Sequence, residues 1–404
     1  MRKDGRRLAK KSSEMTNSLR HEFLLDPSVH FLNHGSFGAT PRAVFADYQH
    51  WQRRLELQPV LFLGREFDTL LKNSRAVLGQ YVHAQAEDLV HIPNATHGVN
   101  IVAHSFPLQP GDEILTSDHE YGACNYTWDS LCERAGAKYI QQHIPLPVHT
   151  AQEIVEALWQ GVTPRTRIIF LSHITSPTAL CLPVEEICKR ARAAGILTVI
   201  DAAHSPGQIP LDLTALDADI VFGNCHKWMM APKGAGFLYV RRELQARIEP
   251  LIVSWGTHPT PETTTGSRFI DILQWTGTKD PAAALAVPSA IRFMLDHDWD
   301  SVRQTCRGLL SETLQRIADL TGLPPAYPLD SGFYTQMAIA PLPRVDAPAL
   351  KRLLYDMHRV EAPITTWQGR HFVRVSIQGY NTREDTDALV NGLRELLPQV
   401  TLEE

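Results

Sequence analysis

From about residue 60 to residue 300, short apolar runs rich in β-branched residues alternate with helix-like stretches. The strand-like runs are "DLVHI", "DEILTS", "TRIIFLS", "ILTVID", "ADIVF" and "GFLYV". Strands this apolar need cover on both faces, and helices crossing over between parallel strands supply it. The intervening segments agree. "VEEICKRARAAG" places apolar residues at helical spacing and stops at Gly195, and "DLVHIPNATHGVNIVAHSF" predicts a strand, a turn at Pro93–Asn94 and a helix from near Thr96. The expectation is an α/β fold with a mostly parallel sheet between helices. Past about residue 295 the pattern changes. "DWDSVRQTCRGLLSETLQRIADLTG" reads as a long amphipathic helix, "YTQMAIA" and "HFVRVSI" as short strands, and "REDTDALVNGLRELL" as a closing helix, together a smaller α+β domain. The expected division is a disordered tail over 1–20, an arm over 21–50 that contacts the active site and the small domain, a large domain over 51–295 and a small C-terminal domain over 296–404.

Several classes of function are excluded early. A formal net charge of −5 leaves no basic field for nucleic acid. No apolar run reaches the roughly 18 residues of a membrane span, and the basic, polar first twenty residues lack the apolar stretch of a secretory signal. The six cysteines form no CxxC pair and read as reduced thiols, with Cys225 as a packing residue, so the expected location is cytoplasmic. The eighteen histidines are scattered without an HExxH pattern, and no metal site is expected. "GSFG" is not a GxSxG nucleophile elbow, and neither a Walker A sequence nor a dinucleotide fingerprint is present.

Ligands of open α/β sheets lie at the carboxyl ends of the strands, and Thr96, Tyr121, Ser176, Asp201, His204 and Lys227 all sit where strands run out. Singly, each has a plain reading: helix cap for Thr96 or Asp201, rim aromatic for Tyr121, turn residue for Ser176, loop histidine for His204. Lys227 is harder to dismiss. In "FGNCHKWMMAPKGAGFLYV" its amine enters apolar surroundings, where burial penalises the ammonium and lowers its pKa. A desolvated lysine near an aspartate suits pyridoxal phosphate. That cofactor needs an amine for a Schiff base, a carboxylate at its ring nitrogen, and phosphate donors at a helix N-terminus, which "NATHGVN" offers.

Seven stretches carry a resemblance: "FLNHGSFGATP" (31–41), "NATHGVN" (94–100), "DHEYGA" (118–123), "DAAHSPGQIPLDL" (201–213), "HKWMMAPKGAGFLYV" (226–240), "QWTGTKDPAA" (274–283) and "RVSIQGYNTREDTDAL" (374–389). In this order they resemble the class V aminotransferase family of fold-type I pyridoxal-phosphate enzymes, and within it the isopenicillin N epimerase-like branch. The resemblance implies that Lys227 forms the Schiff base, Asp201 pairs with the ring nitrogen, His204 contacts the phenolic oxygen with Ser176 nearby, and Tyr121 stacks on the ring. It places Ala95, Thr96, Asn224 and His226 around the phosphate. It expects Thr278 to reach the phosphate of a neighbouring subunit, hence a homodimer. Arg374 is expected to bind the substrate carboxylate, although on spacing alone it is equally a solvent-facing strand residue. Asn33 and His34 belong to a turn that lies near the mouth in relatives; they touch substrate there, or simply form a tight turn with Gly35 and Gly38.

The implied activity is on an amino acid through a Cα carbanion, with Lys227 as the base, most like an isopenicillin N epimerase. The alternative is a C–S lyase on a cysteine-derived substrate, as in ergothioneine-type sulfoxide lyases. Transamination ranks lower. Cysteine desulfuration does too, because no cysteine follows Cys306 and "VEAPITTWQGRHF" offers no thiol. A non-catalytic sensor is disfavoured, since no helix-turn-helix precedes the fold. No opposite-face acid can be named. Specificity is expected from the 33–38 turn, residues 57–67, the 254–270 loop and the small domain, with Trp255, His258, Arg268 and Trp367 as candidates.

Overall fold

The computed structural model describes residues 19–402, so most of the expected tail lies outside the described residues. The central sheet has seven strands: β2 (Leu89–Ile92), β3 (Glu113–Ser117), β4 (Lys138–Gln142), β5 (Thr166–Ser172), β6 (Leu197–Ala202), β7 (Ile220–Asn224) and β8 (Gly236–Val240). Their order is β2-β8-β7-β6-β5-β3-β4. From β7 to β4 every pairing is parallel; β8 alone runs the other way, antiparallel to β7 on one side and to the edge strand β2 on the other. Alternation along a strand feeds two cores. On β5, Ile168 and Phe170 join one apolar cluster and Ile169 and Leu171 the other. This is the doubly covered α/β sheet that the sequence predicts. Among the described residues no helix is long and apolar enough to cross a membrane.

The strand ends set the stage for the site. Register places Ser172 opposite Asp201, and Asp201 opposite Phe222, so β5, β6 and β7 finish side by side. The order in which the chain adds strands reverses between β3 and β5, the kind of switch point where open sheets hold ligands. Helix α1 (Ala95–Ser105) runs from the end of β2 and packs so closely on the sheet that a Cβ at Gly98 would come 2.6 Å from the Phe222 side chain. Its cap is Asn94, whose Oδ1 accepts from His97 N at 2.9 Å. Thr96 is therefore the second helical residue, not the cap, and it is exposed.

A second, three-stranded antiparallel sheet has the order β11-β12-β9, with β9 (Met337–Leu342), β11 (Ile364–Trp367) and β12 (Arg370–Ser376). Long helix α2 (Trp299–Thr321) and closing helix α3 (Arg383–Val400) pack against it. Strand β9 begins three residues later than "YTQMAIA" suggests, because Tyr334 is a loop anchor that stacks on Tyr327 at 5.4 Å and donates to Leu329 O at 2.5 Å. The N-terminal stretch joins this unit. Strand β1 (His30–Phe31) pairs in parallel with β10 (Val360–Glu361), and Ser376 N donates to Leu32 O at 2.9 Å.

Candidate active site

Lys227 stands in the turn between β7 and β8, held from below by Met230 N donating to Lys227 O and by Cys225 N and His226 N donating to Ala235 O. The N-terminal segment crosses directly over it. Gly38 has φ +72°, and a Cβ there would collide with the His226 carbonyl, so glycine is required for both conformation and approach. Cys225 is fully buried and its thiol is pushed up to about 12 by burial.

The Lys227 amine lies 3.1 Å from His204 Nε2. Burial brings its pKa down to about 8, with Asp201 opposing that shift and Arg374 adding to it. Asp201 ends β6, 3% exposed, and burial raises its pKa against the hydrogen bond from Ala203 N to Oδ1 at 2.7 Å. Cys124 Sγ faces its other oxygen at 3.5 Å. Glu120 is a second buried carboxyl, pushed up to about 7 by burial although Ser117 Oγ, Ser172 N and Ser172 Oγ all donate to it.

At the head of α1, Ala95 N donates to Asn224 Oδ1 at 2.8 Å, tying the helix to the end of β7. His97 N and Gly98 N go to Asn94, which leaves the Thr96 N–H and hydroxyl for an anion at the positive end of the helix. His226 Nδ1 lies 3.0 Å from Ala235 O, and burial brings its pKa down to about 4, so the ring is neutral and Nε2 is left as an acceptor.

Arg374 projects from β12 and is 5% exposed, which rules out the solvent-facing alternative. Nη1 donates to Ser176 O at 2.6 Å and Ser176 Oγ at 3.2 Å, and Nη2 donates to Ser36 Oγ at 3.0 Å. Its Nε is buried without a partner, and among the described residues no carboxylate pairs with it. Burial lowers its pKa to about 10.

Asn33 and His34 sit behind these groups. Asn33 donates to Glu361 Oε1 at 3.3 Å and accepts from Ser36 Oγ at 2.6 Å. His34 is fully buried, with Nδ1 2.9 Å from Tyr380 Oη and Nε2 3.0 Å from Lys227 O, and burial takes its pKa to about 3. Tyr121, at the head of helix Gly122–Ala135, is 46% exposed, and Thr278 is exposed in the loop after helix Arg268–Gln274. Neither is hydrogen-bonded to the cluster. Two specificity candidates are engaged elsewhere: Arg268 donates to Ile248 O and Glu249, and Trp367 donates to Asp118 O and stacks on His119 at 4.4 Å. Sequence reasoning gave no role to Ser36, Glu120 or Trp228. "GSFG" and "DHEYGA" contained the first two, and the third was hidden as an apolar neighbour of the lysine.

The donor set fits pyridoxal phosphate: an amine easily made neutral, a buried carboxylate, a helix N-terminus with donors to spare, and a buried cation lacking an anion. Fold and site together define a pyridoxal-phosphate enzyme of fold-type I. Comparison with known proteins agrees. The model of the family "Aminotransferase class-V" matches residues 38–389. Isopenicillin N epimerase of Amycolatopsis lactamdurans is 36% identical over 388 residues, covering 93% of this chain and 97% of that protein. The same enzyme of Streptomyces clavuligerus is 35% identical over 392 residues, again covering 93% and 97%. A probable chloroplastic L-cysteine desulfhydrase of Arabidopsis thaliana is 28% identical, covering 95% of this chain and 86% of that one. Among solved structures, a C-DES mutant with glycine covalently linked to its PLP cofactor superposes with a TM-score of 0.79 at 21% identity, covering 93% and 99%. The chain belongs to the class-V aminotransferase family.

Proposed function

We propose that this protein epimerises an amino acid at Cα, in the manner of the isopenicillin N epimerases it is similar to. The observation that carries the reading is Arg374, a buried guanidinium with an unpartnered Nε and no carboxylate, in the cleft that also holds the Lys227 amine. An amino-acid carboxylate supplies the missing anion. Ser36 and Ser176 hold the fork, so the carboxylate docks in one orientation.

Pyridoxal phosphate, when bound, supplies an electron sink for the bond broken at Cα. The rest is done by the chain. Asp201 offers negative charge to the ring nitrogen, and His204 a polar contact to the phenolic oxygen. The Thr96 N–H and hydroxyl and the Asn224 amide would hold the phosphate; Ala95, whose N–H is spent on Asn224 Oδ1, and His226, whose Nε2 is an acceptor, would line that site rather than donate to it. Tyr121 would cover the ring, and Thr278 would close the phosphate site of a neighbouring subunit in a homodimer. Lys227, whose pKa lies at about 8 so that a neutral fraction is available at neutral to mildly alkaline pH, would take the Cα proton; return of a proton to the opposite face would invert the centre. For Asn33 and His34 the geometry favours support over substrate contact, since both are engaged by protein groups. We also propose the division into an arm, a large domain to about residue 295 and a small domain beyond, and a cytoplasmic location.

The desulfhydrase relative supports a second reading, C–S cleavage of a cysteine-derived substrate from the same Cα deprotonation. Incubation with candidate amino acids in deuterated water separates the two. Deuterium at Cα with loss of optical rotation supports epimerisation, and pyruvate with ammonia supports the lyase. Neither result with any amino acid rejects both.

A further inference from the structure

We infer that the indole of Trp228 is a positioning group that fixes the tautomer of His204 and thereby favours the uncharged form of the Lys227 amine. Trp228 Nε1 lies 3.2 Å from His204 Nδ1. An indole N–H can only donate, so Nδ1 must be the acceptor and the ring proton must sit on Nε2. That Nε2–H points at Lys227 Nζ, 3.1 Å away. A neutral amine accepts it through its lone pair. An ammonium has none, and would set N–H against N–H. Protonating His204 on both nitrogens meets the same obstacle at the indole.

Trp228 is fixed in place. It is fully buried, its backbone lies against Gly207 (φ +89°) where a Cβ would collide with it, and its ring is 5.0 Å from that of His34. The other groups acting on the pair are Asp201, Cys124 and Arg374 around Lys227, and Arg374, His34 and His226 around His204. They alter the cost of charge, but none bonds to a ring nitrogen of His204. The same Nε2–H is the donor that a phenolic oxygen bound beside the lysine would need.

The inference deepens the reading of this site, and it is tested on full-length protein stripped of cofactor, so its failure leaves cofactor binding untouched. The Lys227 amine is titrated from pH 6 to 10 by its rate of acetylation, read by mass spectrometry of its peptide. The wild-type midpoint is expected near 8. In Trp228→Phe, His204 is free to turn a lone pair towards the ammonium, and the midpoint should rise by about one unit, with about tenfold slower labelling below it. β-(3-Benzothienyl)alanine at position 228, which keeps the shape and removes the N–H, should do the same. In a His204→Gln background neither change should move the midpoint. A midpoint unmoved by the benzothienyl replacement, or moved equally with glutamine at 204, overturns the inference. So does a nitrogen spectrum of wild-type His204 that puts the proton on Nδ1.

Discussion

Folding buries the Lys227 amine near the Arg374 guanidinium; burial makes charge on the lysine costly, Asp201 offsets that only in part, and Arg374 adds a smaller cost. The consequence for stability has a definite sign. The amine titrates near 8 when folded against 10.5 for an ordinary lysine, so between those values the unfolded chain binds more protons and folding is favoured as pH rises. Below pH 8 the full cost persists. Without cofactor, Lys227→Met should therefore be more stable than wild type at pH 7, and its advantage should shrink as pH climbs from 8 towards 10.5. Urea unfolding at a series of pH values checks this; a constant difference contradicts it. Lys227 and Asp201 were legible in the sequence because a charged residue at the end of an apolar strand needs a reason. Trp228 was not, since an apolar neighbour conceals its single N–H, and Arg374 stayed ambiguous until burial was known.

Helix α1 shows how an element can serve both stability and binding. Asn94 closes its first turn and Asn224 joins that turn to β7, which aims the Thr96 N–H outward. Asn94→Ala should cost about 1 kcal/mol, seen as a lower Tm, and should weaken retention of pyridoxal phosphate in a cofactor titration. Unchanged retention would detach the cap from the phosphate site. The helix and its start near Thr96 were readable from the sequence, but its cap, Asn94 and not Thr96, was not, because either residue can cap on residue type alone. Strand β9 slipped for a related reason: the tyrosine that suggested an early start is spent on a stacking contact. Pairing direction at the edge of the sheet also lay beyond the reach of strand composition, which is why the reversed strand β8 emerged only with the structure.

On the scale of the molecule, the N-terminal stretch, the small sheet and the Lys227 turn are one mechanical unit, linked through Ser376, Tyr380 and Gly38. The single chain leaves Leu57, Val60, Val253 and Trp255 exposed, with Tyr121 and Thr278 outside the bonded cluster. The proposed homodimer would cover the first and bring Thr278 to a neighbour's site, and sedimentation should then give twice the 45.3 kDa chain mass at micromolar concentration; a monomer would remove Thr278 from the site. The substrate was not legible, because the expected mouth is assembled from segments far apart in the chain, and Arg268 and Trp367 have other partners. The central claim is that one amine, Lys227, carries the cofactor. Loading the protein with pyridoxal phosphate, reducing it with borohydride and mapping the peptides by mass spectrometry tests it most directly. The account expects a phosphopyridoxyl group on Lys227 and its loss in Lys227→Met; an unmodified Lys227, or the label on Lys233 or Lys279 instead, would contradict it.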